Sequence, residues 1–381
     1  MNYNDSALAA PPEVRQTTFT ISSELDDLIF AGECRDWSLA QQDAKRRDLM
    51  LASYRYHFEA CALFRRYCEN LGRDGSETEI SDLPLFPTSV FKHAKVLSTA
   101  ERDIENWYLS SGTNGPRSQV GRDRTSIERL LGSFQFGVGY VNQWYDYDLE
   151  IVNLGPDRFA AGNVWFQYVM SLVELMFPTH FTVQDDRLDP RLSVEHIQAV
   201  LDDGLDLGVV GPPFFILQLC QYIKAHDIRI EGATRAQVIT GGGWKKHTGA
   251  AIPRDEFSAL VMDAFGLEHP AQVRDVFNQV ELNTAFFEDE QHRKRIPPWV
   301  HATALNPVDL SPLPDGEVGV MGYIDASAAS YPAFIVSDDV GRVFSVTDEP
   351  GREGRCLEII RRLDTRQQKG CALSMEQNYD S

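Results

Sequence analysis

The sequence predicts an α/β protein, and two observations carry that prediction. Short apolar runs of strand character alternate with helical patterns as far as about residue 345. One such run, Ala236-Gln237-Val238-Ile239-Thr240, empties at its carboxyl end into Gly241-Gly242-Gly243-Trp244-Lys245-Lys246, the place where open α/β sheets bind ligands. A chain of 381 residues can build two or more structural units, fused around large cores.

Taken in order, residues 1–20 read as a loose lead. Over 38–70, Leu39, Leu49, Leu51, Tyr54, Phe58, Cys61, Leu63 and Phe64 recur at near-helical spacing, which predicts one long helix or a broken pair, ended by Gly72. Leu83-Pro84-Leu85-Phe86-Pro87 is an extended connection into Ser89-Val90-Phe91-Lys92. The stretch Tyr108-Leu109-Ser110-Ser111-Gly112-Thr113-Asn114-Gly115-Pro116-Arg117-Ser118 combines hydroxyl donors, glycines that let backbone N–H groups approach an anion, and the forked cation of Arg117. By itself it reads equally as a phosphate cradle or a surface turn, and it matches neither the Walker loop nor G-x-G-x-x-G.

A helix is expected over 126–140 and a buried one over 164–177. A strand at 207–210 turns through Gly211-Pro212-Pro213 into a helix over 214–222. A third strand, 273–277, leads into Asn278-Gln279-Val280-Glu281, and 307–342 has a Gly- and Pro-rich β texture.

Composition excludes several classes of function. With 43% hydrophobic and 24% charged residues the chain is globular, and a formal charge of −20 argues against a nucleic-acid or anionic-membrane partner. The run 164–177 contains Gln167 and Glu174 and falls short of the roughly 20 residues that cross a bilayer, so no membrane span is expected. Met1-Asn2-Tyr3-Asn4-Asp5 lacks the basic start and apolar core of a signal peptide, which points to the cytoplasm.

The six cysteines form no C-x-x-C and are expected to be free, most of them packing residues, as Cys356 is in Cys356-Leu357-Glu358-Ile359-Ile360. Cys371 differs: it sits in the polar run Gln367-Gln368-Lys369-Gly370-Cys371-Ala372, where Lys369 favours a thiolate. His180, His196, His226, His247 and His269 are scattered without metal-ligand spacing, and no G-x-S-x-G elbow occurs.

The ordered set of loops resembles the acyl-adenylate-forming superfamily, and within it the acyl-protein synthetase (LuxE-like) family of bacterial bioluminescence. The likeness covers most of the chain after about residue 80. Ser110-Ser111-Gly112-Thr113-Asn114-Gly115 with Pro116-Arg117 resembles the superfamily's phosphate loop, with Arg117 in place of its closing Lys. Ile239-Thr240-Gly241-Gly242-Gly243-Trp244-Lys245 is similar to its glycine-rich turn beside the acyl and adenine pockets. Phe277-Asn278-Gln279-Val280-Glu281 stands in place of Tyr-Gly-x-Thr-Glu, which implies Phe277 against adenine and Glu281 on Mg²⁺; Val280 lacks the usual Thr hydroxyl. Ser337-Asp338-Asp339 stands where Thr-Gly-Asp is usual, implying Asp339 on the ribose, and Arg361-Arg362-Leu363-Asp364 resembles the hinge, with Arg362 toward the nucleotide.

The resemblance implies a helical segment over 1–80, an adenylate-forming body over 81–362 and a short tail over 363–381. Only 17 residues follow Asp364, whereas CoA ligases of the superfamily carry a long segment with a catalytic Lys. Gly370-Cys371-Ala372-Leu373 is similar to the Gly-Cys-x-Leu context that receives the acyl group in acyl-protein synthetases. The implied activity uses ATP and Mg²⁺ to convert a carboxylic acid, by implication fatty, to acyl-AMP. Transfer to Cys371 would follow, for delivery to a reductase-like or acyl-carrier-protein partner. The alternatives are a stand-alone ligase that passes the acyl group to CoA or a carrier phosphopantetheine, and a non-catalytic nucleotide-binding scaffold.

Overall fold

The structure, a computed structural model, describes residues 24–111, 115–244, 251–349 and 352–363. Of the sequence-derived site residues, Gly112, Thr113, Asn114 and Cys371 lie outside these, as do Lys245, Lys246 and Asp364.

The pattern over 38–70 forms a broken pair of helices, Leu39–Ala60 and Ala62–Asn70. The first is opened by a reciprocal cap between Ser38 and Gln41. The break falls at Cys61, whose φ of −104° and ψ of 101° are extended. Strand β1 (Phe86–Pro87) follows, then a hairpin of β2 (Ile104–Leu109) and β3 (Gln119–Asp123). The helix expected over 126–140 spans Arg124–Gln135, capped by the Asp123 side chain, and continues as a π-helical turn at Phe136–Val141.

Next come β4 (Leu149–Asn153), the helix Trp165–Ser171, β5 (Thr179–Phe181) and a ribbon of β6 (Val183–Gln184) and β7 (Arg187–Leu188). Then β8 (Asp206–Gly211), β9 (Gln237–Gly241), β10 (Val273–Phe277) and β11 (Phe286–Phe287) complete a sheet of order β11-β10-β9-β8-β4-β5. All its pairings are parallel except β10 with β11. The second sheet is antiparallel in the order β12-β16-β15-β14-β13, from β12 (Lys294–Ile296), β13 (Val300–Leu305), β14 (Gly319–Asp325), β15 (Phe334–Val346) and β16 (Gly354–Arg362). The β1 strand joins it alongside β15.

Two cores follow from this arrangement. Val209, Val238 and Val273 on one face of the parallel sheet pack with Ile197, Ile216 and Val261 of the helices Pro190–Asp202, Pro213–Ala225 and Arg254–Phe265. Strands covered by βα crossovers are buried on both faces, which is why β8 and β9 read as near-continuous apolar runs. The larger core joins the first helix to both sheets: Tyr54, Phe64, Phe86 and Phe334 form an aromatic cluster, and Ile239, Phe286 and Tyr323 belong to the same apolar body.

His57 lies wholly buried in that core, its Nδ1 2.7 Å from Ser98 Oγ and its Nε2 3.2 Å from the Ala328 carbonyl. The carbonyl can only accept, so Nε2 carries the hydrogen and the ring is neutral. Burial pushes its pKa down to about 3, from an ordinary 6.5. Between these values the unfolded chain binds a proton that the folded chain does not, so stability falls as pH drops through that window. In urea titrations the unfolding midpoint is expected to fall as pH is lowered from about 7 to about 4. His57→Gln should be less stable at pH 7 and should lose part of that slope; an unaltered slope would remove His57 as its source.

Candidate active site

A cavity of about 920 Å³ opens at the carboxyl ends of β8, β9 and β10. It brings together Ser110, Ser111, Gly241, Gly242, Gly243, Phe277, Asn278, Gln279, Glu281, Asp339 and Arg362, residues drawn from five separate stretches of sequence. The cavity has two poles, one polar and one apolar.

The polar pole begins at the β2–β3 hairpin. The Ser110 amide donates to the Ser118 carbonyl at 3.0 Å, and the Ser118 amide donates to Ser110 Oγ at 3.1 Å. This pinched neck holds Ser110, Ser111, Pro116 and Ser118 against the cavity. Gly115, at φ 89°, and Arg117 are exposed at the hairpin's tip and do not line the cavity.

Glu281 is 6% exposed, and burial raises its pKa, opposed by a hydrogen bond from the Ser118 hydroxyl and by the charges of Arg362 and Lys92. Asp339 is also raised by burial, opposed by Ser337, whose hydroxyl donates to Asp339 Oδ2 at 2.6 Å. Asp339 sits directly across the β15–β16 ladder from Arg362, so the two motifs are cross-strand neighbours. The exposed Arg362 guanidinium reaches within 3.7 Å of Asp338.

The loop after β10 carries Asn278, which accepts from the Trp165 indole N–H and donates to the Thr284 carbonyl at 2.7 Å. Gln279 Nε2 is buried with no hydrogen-bond partner. Phe277 is half-buried, lines the cavity and stacks on Phe286 and Tyr323 with ring centres 6.1 and 6.2 Å apart. At the end of β9, Gly242 and Gly243 adopt φ of 74° and 61°, a region that glycine enters without steric cost. A Cβ at Gly242 would stand 2.2 Å from the Phe166 ring, so the turn passes the cavity wall as bare backbone.

The apolar pole is walled by Phe134, Val138, Trp144, Val173, Ile239 and Phe287. Trp144, 1% exposed, donates its indole N–H to Gln237 Oε1 at 2.8 Å, which leaves only its apolar ring to face the cavity. The π-helical turn contributes Val138, and the absence of a Cβ at Gly137 makes room for Phe287, whose ring would lie 2.0 Å from one.

With the fold and this cavity in place, the comparisons with known proteins are decisive. Residues 11–380 match the family described as acyl-protein synthetase, LuxE. The chain belongs to that family. This LuxE-family enzyme, a ligase, is 48% identical over 363 residues to the long-chain-fatty-acid–luciferin-component ligase of Aliivibrio fischeri, covering 95% of this chain and 96% of that one. It is 48% identical over 366 residues to the protein of the same name from Vibrio harveyi, covering 96% of each. Among solved structures it resembles 2-hydroxyisobutyryl-CoA ligase in the postadenylation state with 2-HIB-AMP, with a TM-score of 0.67 and 15% identity over 96% of this chain and 74% of that one. The same ligase in its thioesterification state gives a TM-score of 0.65 at 15% identity, over 87% of this chain and 70% of that one. At that identity the likeness shows a shared α/β fold.

Two features of the LuxE-family site were missed in the sequence. Lys294, buried on β12, lines the cavity with Nζ 2.7 Å from Glu288 and 3.0 Å from Asp275. Burial alone would strip its proton, but those carboxylates outweigh it and push its pKa up. Burial likewise opposes the charge on Glu288, yet Lys294, His292 and Arg254 hold its carboxyl far below the usual range. The second is Arg122, wholly buried behind the Glu281 loop. Neither residue forms a recognisable local motif: Arg122 bonds to loop residues more than 150 positions away, and Lys294 joins Glu288 to Asp275 of β10. Among the described residues no group of three or more His, Cys, Asp or Glu could hold a metal ion.

The glycine turn gives a test that separates space from backbone. Gly242→Ala and Gly243→Ala both incur the left-handed cost of about 1–2 kcal/mol, but only Gly242→Ala drives a methyl into Phe166. Gly242→Ala is therefore expected to weaken nucleotide binding, measured by calorimetry, by at least about tenfold more than Gly243→Ala. Equal effects would show that the turn does not border the ligand.

Proposed function

We propose that the protein activates a long-chain fatty acid with ATP as acyl-AMP and then transfers the acyl group to its own Cys371. The observation that carries this reading is the two-poled cavity, polar at the Ser110–Ser118 neck and Glu281, apolar toward Trp144 and Phe287. The relatives' name, long-chain-fatty-acid–luciferin-component ligase, supports the choice of acid. Each methylene withdrawn from water into the apolar pole contributes about 0.8 kcal/mol, so a long chain is held without a charged anchor at its tail.

The residues present fit ATP and its Mg²⁺. Mg²⁺ is usually bound by one or two carboxylates together with substrate phosphates, and Glu281 offers one carboxylate without a full protein cage. The Gln279 amide is an unpartnered donor, and the bare Gly242 backbone lets the Phe166 ring close against the turn beside it. When bound, the metal would neutralise phosphate charge. The chain's own contribution is to orient: Ser110, Ser111 and Ser118 supply hydroxyl and amide donors at the neck, Phe277 offers a ring, and Asp339 offers ribose acceptors. Arg117 would reach the phosphates from the hairpin tip.

The chemistry is two displacements. A carboxylate oxygen of the acid attacks the α-phosphorus, the bond from that phosphorus to the α,β-bridging oxygen breaks, and pyrophosphate leaves with the bonding electrons. The Cys371 thiolate then attacks the acyl carbonyl, and AMP departs with the bonding electrons of the anhydride, leaving a thioester. On this reading 81–362 is the adenylating body and 363–381 carries the acceptor to it. The thioester would be discharged to a partner such as an acyl reductase. A reducing cytoplasm suits an acceptor thiol that must stay free.

Cys371→Ser should retain carboxylate-dependent ATP–pyrophosphate exchange while losing the hydroxylamine-sensitive acyl adduct in intact-mass measurements. Cys356→Ser, in a buried strand position, should retain both. If wild-type protein exchanges pyrophosphate but never carries an acyl group, transfer to CoA or a carrier thiol replaces self-acylation.

A further inference from the structure

Arg122 is wholly buried on β3, the second strand of the β2–β3 hairpin, next to the Asp123 that caps the following helix, and it is an unusual cation. Its guanidinium carbon lies 3.6 Å from the centre of the Trp165 ring, with the Tyr331 and Tyr108 rings at 5.3 and 5.5 Å. Nη2 donates to the Val280 carbonyl at 2.8 Å, the Leu282 carbonyl at 2.9 Å and the Tyr331 hydroxyl at 3.0 Å; Nε donates to Asn283 Oδ1 at 2.9 Å. All four acceptors are neutral. Nη1 is buried without a partner.

A buried charge is costly unless paired, so an arginine held by neutral groups alone calls for a reason. The two carbonyls it grips belong to the residues immediately before and after Glu281. Re-aiming the Glu281 Cα–Cβ bond away from the cavity would require rotating peptides that Arg122 fixes on both sides. Trp165, the ring on which the guanidinium lies, also lines the cavity and donates to Asn278 in the same loop. One side chain therefore sets the two ends of the loop, and its field acts on the Glu281 carboxylate between them.

We propose that Arg122 is the positioning residue of the polar pole: it holds Glu281 aimed into the cavity and Asn278, through Trp165, in register with it. The inference rests on the adenylating reading above. Lysine cannot replace this arginine, because a single ammonium on a flexible stem can neither fork between Val280 and Leu282 nor lie flat on an indole.

The test is calorimetric binding of ATP over a Mg²⁺ titration, with near-UV circular dichroism as the check on folding. Arg122→Lys should need roughly tenfold more Mg²⁺ for half-maximal ATP affinity, the size of effect seen when an outer partner of a metal ligand is lost. Metal-free ATP binding should change by no more than about twofold, since Arg122 does not line the cavity and lysine keeps its charge. Glu281→Gln should impose a comparable loss, and the Arg122→Lys, Glu281→Gln double variant should lose no more than Glu281→Gln alone, because both act on one contact. Additive losses, or an unchanged Mg²⁺ requirement in Arg122→Lys, would overturn the inference. If Arg122→Lys does not fold, Tyr331→Phe removes one acceptor and leaves its ring; it should shift the Mg²⁺ requirement in the same direction by less, and no shift would overturn the inference. Wild-type protein that binds no ATP at any Mg²⁺ concentration would instead overturn the adenylating function itself.

Discussion

The cavity depends on a buried polar knot where the loop from the parallel sheet meets the antiparallel one. The Asn283 amide donates to Asp325 Oδ2 at 2.8 Å, and the Asn283 side chain donates to the Ser126 carbonyl at 2.8 Å. The Ser327 hydroxyl donates to Asp325 Oδ1 at 2.6 Å, and Trp299 donates to Thr284 Oγ1 at 3.0 Å. Asn283, Thr284, Asp325, Ser126 and Ser327 are all fully buried, so each unmade bond would cost about 1–3 kcal/mol of desolvation with no water to replace it. Such a network is satisfied in one arrangement of its elements and in few others. That arrangement places the residues just before it, Phe277 to Glu281, at the cavity's polar pole.

The same reasoning explains why the ionised groups at the sheet junction are grouped rather than dispersed. Glu288 beside β11 receives Lys294 of β12 and Arg254 from the N-terminal end of a helix on the opposite face, the latter through two bonds of 3.0 and 2.7 Å. Asp275 receives Lys294 and the Thr240 hydroxyl at 2.6 Å, tying β9 and β10 to the other sheet. Two acids and two bases leave the cluster without net charge. It borders the cavity as a rigid wall and does not compete for an anionic ligand.

A ligand with an apolar tail and a polyanionic head suits a pocket whose ends differ in dielectric character. At the tail end Trp144 and Gln237 satisfy each other, so the wall presents no unpaired donor to a hydrocarbon. At the head end Gln279 Nε2 remains unpartnered, and buried carboxylates with raised pKa values line the cavity. An unsatisfied donor and a carboxylate with little compensation are the features that a nucleotide and its cation would relieve.

The sequence alone determined the alternating α/β order, the helical character of 38–70, the strand Val273–Phe277 and the glycine turn after β9, because these rest on local periodicity and on residues with special backbone freedom. The likeness of short loops to a superfamily also marked Ser110, Gly242, Phe277, Glu281, Asp339 and Arg362, all of which the fold gathers around one cavity. Only the tertiary structure decided that Asp339 and Arg362 face each other across a ladder, that Arg117 stands at an exposed tip, that Lys294 lines the cavity and that Arg122 lies buried behind the Glu281 loop. An arginine followed by Asp123-Arg124 looks in sequence like a solvated charge run, and Lys294 lies in the equally charged His292-Arg293-Lys294-Arg295. Burial is set by what packs over a residue, and here the covering groups come from strands and loops more than 100 residues away for Arg122, as the bonds to Val280 and Leu282 record.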